Sequence, residues 1–179
     1  MKTTTLLLLA GINDSGPGHW QTLWQQADPA IAKLEHDEWD RPDRLRWVQE
    51  LEAEVDRFGP RVTLVAHSLA CLLVAHWAAT TRHAIDGALL VSVPDPDGPA
   101  FPKDAKHFGR IPMLRLPFAS TVVCSSDDPY GSEACMRGWA QTWGSRFVCI
   151  GARGHVNAAS GLGTWDEGRT ILRELTSRG

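Results

Sequence analysis

Basic residues are not in excess in this chain. Lys and Arg number 18 against 21 Asp and Glu, a net charge of -3, so there is no positive field to hold a phosphate backbone and nucleic acid is not an expected partner. Long apolar runs are missing too. No segment approaches the ~20 consecutive apolar residues of a membrane span, which argues for a soluble, cytoplasmic protein that does not engage a membrane. The opening residues 1–10 carry a leucine run only four long, and Gly11-Ile12-Asn13-Asp14 follows at once; this reads as a first core strand rather than a signal peptide. Cysteine and methionine are scarce. Cys71, Cys124, Cys135 and Cys149 show no C-x-x-C spacing and no histidine at zinc-finger distance, so no metal or cofactor is expected and all four read as buried thiols in a reducing compartment. Internal repeats and low-complexity tracts are absent. The eight tryptophans lack an accompanying basic groove, which makes them core and wall rather than a base-stacking platform.

What is present fits one domain over residues 1–179, with 43% apolar residues to build its core. Strands are predicted over residues 3–9, 31–39, 61–66, 84–93, 120–125 and 146–150. Helices are predicted over 19–27, 69–79, 132–143 and 165–176, with a further helix after Asp43 that Gly59 and Pro60 stop. Leu45, Val48, Leu51, Val55 and Phe58 form the apolar stripe of that further helix. Strand and helix alternate, which predicts an α/β fold of three αβα layers around a six-stranded, mostly parallel sheet of order 2-1-3-4-5-6. Six prolines between 94 and 117 predict a long loop there, and long ordered loops usually serve a site.

The third strand ends in Ala66-His67-Ser68-Leu69-Ala70 and a helix follows immediately, which is where a nucleophile elbow belongs. The competing reading is a serine that merely N-caps the helix. Alanine stands at both places where the elbow pattern has glycine, so either the turn relaxes or the helix and strand move apart. Either change would displace the Leu69 N–H and slow the chemistry.

A serine hydroxyl needs a general base, itself oriented by a carboxylate, and in this topology the chain order is Ser, acid, His. His36, His76, His83 and His107 fall in or beside helices or in the proline-rich loop, and His67 is expected to point away from the serine. His155, in the glycine-flanked loop after the last strand, is the one histidine that comes late enough. Asp127 and Asp128 after the fifth strand, and Asp95 and Asp97 one strand earlier, are the candidate acids. Pro129 favours Asp128 by fixing its direction, with Asp127 bracing the turn. The oxyanion donors are expected to be the N–H groups of Leu69 and of Ile12, with Asn13 as the alternative to Ile12. His19 and Trp20 either line the pocket or serve the first helix as cap and packing, while Trp24 belongs to packing.

With these residues in place the chain resembles the retinoblastoma-binding-protein/YdeN family of small serine hydrolases, minimal α/β-hydrolases without a lid domain. The resemblance rests on residues 15–20, on the elbow 66–70, on Leu116-Pro117-Phe118, on Ser125-Ser126-Asp127-Asp128-Pro129-Tyr130 and on residues 154–165. It implies Ser68 as nucleophile, Asp128 as acid and His155 as base; the 27-residue separation of the last two suits the family and selects Asp128 over Asp127. The implied reaction is hydrolysis of small-molecule esters through an acyl-enzyme. Some relatives bind other proteins, so a protein-binding module with the hydrolase fold and little catalysis is the second expectation.

Overall fold

A computed structural model of the protein describes residues 4–177. Met1, Lys2 and Thr3 lie outside it, and with Thr3 the first residue of the strand predicted over 3–9. Six strands form one sheet: β1 (Thr5–Leu9), β2 (Ala32–Lys33), β3 (Val62–His67), β4 (Gly87–Val91), β5 (Ser120–Cys124) and β6 (Arg146–Cys149). Their order is β2-β1-β3-β4-β5-β6 and every pairing is parallel. All six carboxyl ends therefore open on the same edge, the place where an open α/β sheet presents its ligands.

Alternate residues of each strand feed two cores. Leu7, Leu9, Leu64, Ala66, Leu90 and Cys124 face the helices α2 (Arg44–Phe58), α3 (Leu69–Ala78) and α4 (Glu133–Trp143). Leu8, Val65, Leu89, Val91 and Val123 face α1 (Trp20–Ala27) and α5 (Asp166–Thr176). Two covered faces explain why β3 and β4 are buried along their whole length and why α3, closest to the sheet centre, is apolar nearly all round. No helix of the described residues is long and apolar enough to cross a membrane.

Several boundaries differ from the sequence pattern. The second strand, expected over 31–39, is two residues long, because His36 leaves the sheet edge to stack on the Trp47 ring of α2 at 3.8 Å and bond to Glu50. Trp47, Leu51 and Val55 form the buried line of α2, while Leu45 is 65% exposed; the larger indole turns the helix away from the stripe read from the aliphatic residues alone. The proline-rich loop carries a 3₁₀ turn at Lys103–Phe108 that buries Ala105 and Phe108. Of the four thiols, Cys71 and Cys124 are buried, but Cys135 is half-buried and Cys149, on the edge strand β6, is exposed.

The chain reaches α5 through a tight contact. Trp165 caps the helix at a left-handed φ of 42°, with its ring buried against Trp20 and Trp24 and lying over Gly168. A β-carbon on Gly168 would run into that ring. Gly168→Ala is thus expected to destabilise by about 1–3 kcal/mol, although alanine improves helix propensity by ~1 kcal/mol. Thermal unfolding checks this: a midpoint equal to or above wild type would contradict the packing.

Candidate active site

Ser68 sits between β3 and α3 with φ 56° and ψ -125°. This backbone region is costly for any residue with a β-carbon, on the order of 1–3 kcal/mol. Its side chain makes no capping bond to the helix, which separates it from an ordinary N-cap serine. The turn has not relaxed despite Ala66 and Ala70, both of which are fully buried. The Ser68 N–H donates to the Val91 carbonyl at 2.9 Å and the Ser68 carbonyl accepts from Cys71 N–H at 2.9 Å, so both neighbouring elements hold the strained residue.

The structure brings the three side chains singled out by the sequence into one line. Ser68 Oγ lies 2.8 Å from His155 Nε2, and His155 Nδ1 lies 2.9 Å from both carboxylate oxygens of Asp128. The Asp128 side chain is fully buried and that of His155 is 10% exposed. Asp128 Oδ1 also accepts from the Tyr130 N–H at 2.9 Å, and the Tyr130 ring stands 4.4 Å from the imidazole. Asp127 faces the other way: it accepts from Gly154 N–H at 2.7 Å and from the Ser125 hydroxyl at 2.8 Å. Those bonds, the hydroxyl's first, hold its carboxyl below the usual range. Ser125 Oγ in turn accepts from Arg153 N–H at 2.8 Å, so Asp127 and Ser125 fix the loop that presents His155. Asp95 accepts from the N–H of Asp97 in its own turn, and neither reaches His155.

The loop after β1 approaches the elbow closely. A β-carbon on Gly11 would lie 3.1 Å from Ser68 Cβ and 3.2 Å from the His67 carbonyl oxygen, so glycine permits the approach. Asn13 and Asp14 then turn the chain at φ 64° and 63°. The Asn13 N–H donates to the Trp39 carbonyl at 3.1 Å and is occupied. Among the described residues no acceptor takes the N–H of Ile12 or Leu69, and both residues line the cavity beside Ser68. That cavity is about 330 Å³, and Pro94, Phe101, Pro102, Tyr130, Asn13 and His19 also line it. Among the described residues, no three His, Cys, Asp or Glu side chains gather as a metal site.

Three supporting residues had weak or no signal in the sequence. Gln21, buried between two tryptophans of α1, donates to the carbonyls of Leu9 and Val65 at 3.1 and 3.0 Å and accepts from the Ser15 hydroxyl, tying β1 to β3 below the site. His67, expected to point away from Ser68, lines the same cavity, and its Nε2 donates to the His155 carbonyl at 2.8 Å. His19 combines the two roles considered for it, lining the cavity and capping α1 by accepting from Gln21 N–H. Trp20 bonds the Val156 carbonyl and Trp24 the Thr164 carbonyl, so their indoles anchor the His155 loop rather than line the cavity. A polar residue at a buried helical position was the available clue for Gln21.

A family model described as serine hydrolase matches residues 6–174. No curated protein matches the sequence. The structure is similar to a YdeN-like hydrolase from Pectobacterium atrosepticum, 30% identical over 97% of this chain and 90% of that one, with a TM-score of 0.86. The ydeN gene product of B. subtilis shares 21% identity over 98% of this chain and 100% of its own, with a TM-score of 0.83. Est1E from Butyrivibrio proteoclasticus, solved with ferulic acid bound, is 13% identical over 97% of this chain and 90% of its own, at a TM-score of 0.71. At these lower identities the likeness is one of fold.

Burial pushes the His19 imidazole down to about 4, with repulsion from His155 adding to it, and burial holds His67 well below the usual histidine value. Unfolded, both would take up a proton near 6.5, whereas the folded protein resists protonation until far lower pH. Their contribution to stability is therefore complete above pH 6.5 and declines as the pH falls toward about 4, by an amount on the order of 2–3 kcal/mol for His19. Urea unfolding between pH 7 and 4.5 should show this loss in wild type and a shallower one in His19→Asn, which keeps a capping oxygen. Identical slopes in the two proteins would contradict it.

Proposed function

The chain belongs to the serine hydrolase family, and from that premise we propose that it is a carboxylesterase-like enzyme acting on small esters through an acyl-enzyme. The observation that carries this reading is the 2.8 Å contact of Ser68 Oγ with His155 Nε2, continued through Nδ1 to a buried Asp128. Asp128 accepts the Nδ1–H and so leaves Nε2 unprotonated as the base. His155 takes the hydroxyl proton as Oγ attacks the ester carbonyl, then returns it to the departing alcohol. Water repeats the sequence on the acyl-enzyme and frees the acid. The negative oxygen formed in each step is met by the N–H groups of Ile12 and Leu69, which have no other acceptor among the described residues. A cavity of about 330 Å³ suits a short acyl or aryl group.

Fluorophosphonate labelling and hydrolysis of p-nitrophenyl acetate test the proposal together. Ser68→Ala should abolish both, and Asp128→Asn should lower kcat by about 10⁴ by stabilising the wrong tautomer, while Asp95→Asn and Asp97→Asn leave it within a few fold. A folded wild-type protein whose Ser68 takes up no probe would sink the enzyme reading in favour of a binding module. Gly11→Ala tests the oxyanion loop: its added methyl must push Ile12 from the elbow, so kcat should fall about 10²-fold with KM little changed. A rise in KM alone would place the loop's role in ground-state binding.

A further inference from the structure

Cys124 ends β5 and Cys149 ends β6, and the two are direct partners in the parallel register. Neighbouring strands lie about 4.8 Å apart, inside the ~4.4–6.8 Å range of Cα separations that a disulfide spans. Both side chains project to the α4 side of the sheet: Cys124 is part of the core there, and the Cys149 thiol donates to Glu133 of α4 at 3.7 Å. Cys149 is open to solvent and Cys124 is fully buried beside it. Burial, with the neighbouring Cys149 adding to it, pushes the Cys124 thiol up to about 12 and keeps it protonated. The other two thiols are separately placed. Cys71 lies against the Ala66 and Val91 carbonyls, and Cys135 is half-buried on α4.

We propose that Cys124 and Cys149 form an oxidisable dithiol, a modification site that closes to a disulfide under peroxide. The exposed Cys149 sulfur attacks the peroxide O–O bond, giving a sulfenic acid and one water. The Cys124 sulfur then attacks the sulfenic sulfur; the S–S bond forms, the S–O bond breaks, and hydroxide leaves with the Cys124 proton as a second water. Two thiols and one peroxide thus become one disulfide and two waters, the two electrons passing to the peroxide. Directly opposed positions in a parallel pair hold their β-carbons near the strand spacing, slightly wider than an unstrained disulfide favours. The bond is therefore the readily reduced kind that thiols reverse.

Closure would act where the site is built. Cys124 precedes Ser125, whose hydroxyl holds Arg153 and Asp127, and its carbonyl accepts from Ile150 N–H at 2.9 Å. Ser126 N–H donates to the Gly151 carbonyl at 3.0 Å. Drawing the two strand ends together displaces this ladder and the His155 loop that follows it.

The experiment treats the reduced full-length protein with one equivalent of hydrogen peroxide and maps peptides without reduction. The expected result is a Cys124–Cys149 cross-link with a 2 Da mass loss, reversed by dithiothreitol and absent in Cys149→Ser, whose exposed position leaves folding intact. Recovery of Cys149 as sulfinic acid, a link to Cys135, or no cross-link would overturn the pairing. Amide exchange of residues 150–157 should change on oxidation of wild type only, and unchanged exchange would overturn the coupling to the loop. The further consequence, fluorophosphonate labelling of Ser68 slowed about tenfold and restored by dithiothreitol, rests on the hydrolase reading. Unlabelled reduced protein would refute that reading while the mass and exchange results still decide the dithiol.

Discussion

A serine held at φ 56° and ψ -125° is a local conformation that nothing in its own sequence favours, and the surrounding structure has to hold it there. The strain is offset from both sides of the sheet. β4 accepts the Ser68 N–H through Val91, α3 returns a bond through Cys71, and the helix that follows buries almost every side chain it has. What the strain achieves is position: Oγ stands clear of the helix it precedes, on the open edge of the sheet, where a histidine can reach it. Gly11 is the complementary condition. Because it has no β-carbon, the loop after β1 passes within about van der Waals contact of the elbow and brings the Ile12 N–H, which like that of Leu69 has no acceptor among the described residues, close to it.

The His155 loop has to be placed with comparable precision, and it has little regular structure of its own. Its rigidity is borrowed. Ser125 and Asp127 bond its amides from β5's end, His67 bonds its carbonyl from β3, and the indoles of Trp20 and Trp24 bond Val156 and Thr164 from the far layer. Two adjacent aspartates divide the work. Asp128 turns inward to the imidazole, and Asp127 turns to the backbone that carries it. Loss of either would disturb His155, the first through its ring and the second through the backbone that carries it.

The sheet edges carry a different constraint. At the β2 edge the strand is cut short by an aromatic stack, which removes a bare ladder from solvent. At the β6 edge the strand keeps its pairing to Cys149, and the outermost residue of that pairing is left exposed. That end of the sheet is the one that leads into the loops carrying Asp128 and His155. Any covalent or steric change there is transmitted over only a few residues to Asp128 and His155.

The sequence by itself determined the α/β class and the places of Ser68 and His155, because each rested on a local signal, while the strand order followed from the rules of the doubly wound fold. Alternation of buried strands and amphipathic helices sets the class. The strand-to-helix junction at Ser68 and the late loop at His155 follow from chain order, whereas chain order leaves four aspartates open; Pro129 favours Asp128 and the family resemblance selects it. Only the tertiary structure decided how far each strand runs, which face α2 buries, that Cys149 is exposed, that Asn13 has spent its N–H on Trp39, and that Gln21 and His67 serve the site. The division has a physical cause. Periodicity and turn chemistry act between residues near in the chain and can be read from it. A buried amide or imidazole is defined by which distant carbonyl it meets, and that partner exists only once the sheet has brought the strand ends together.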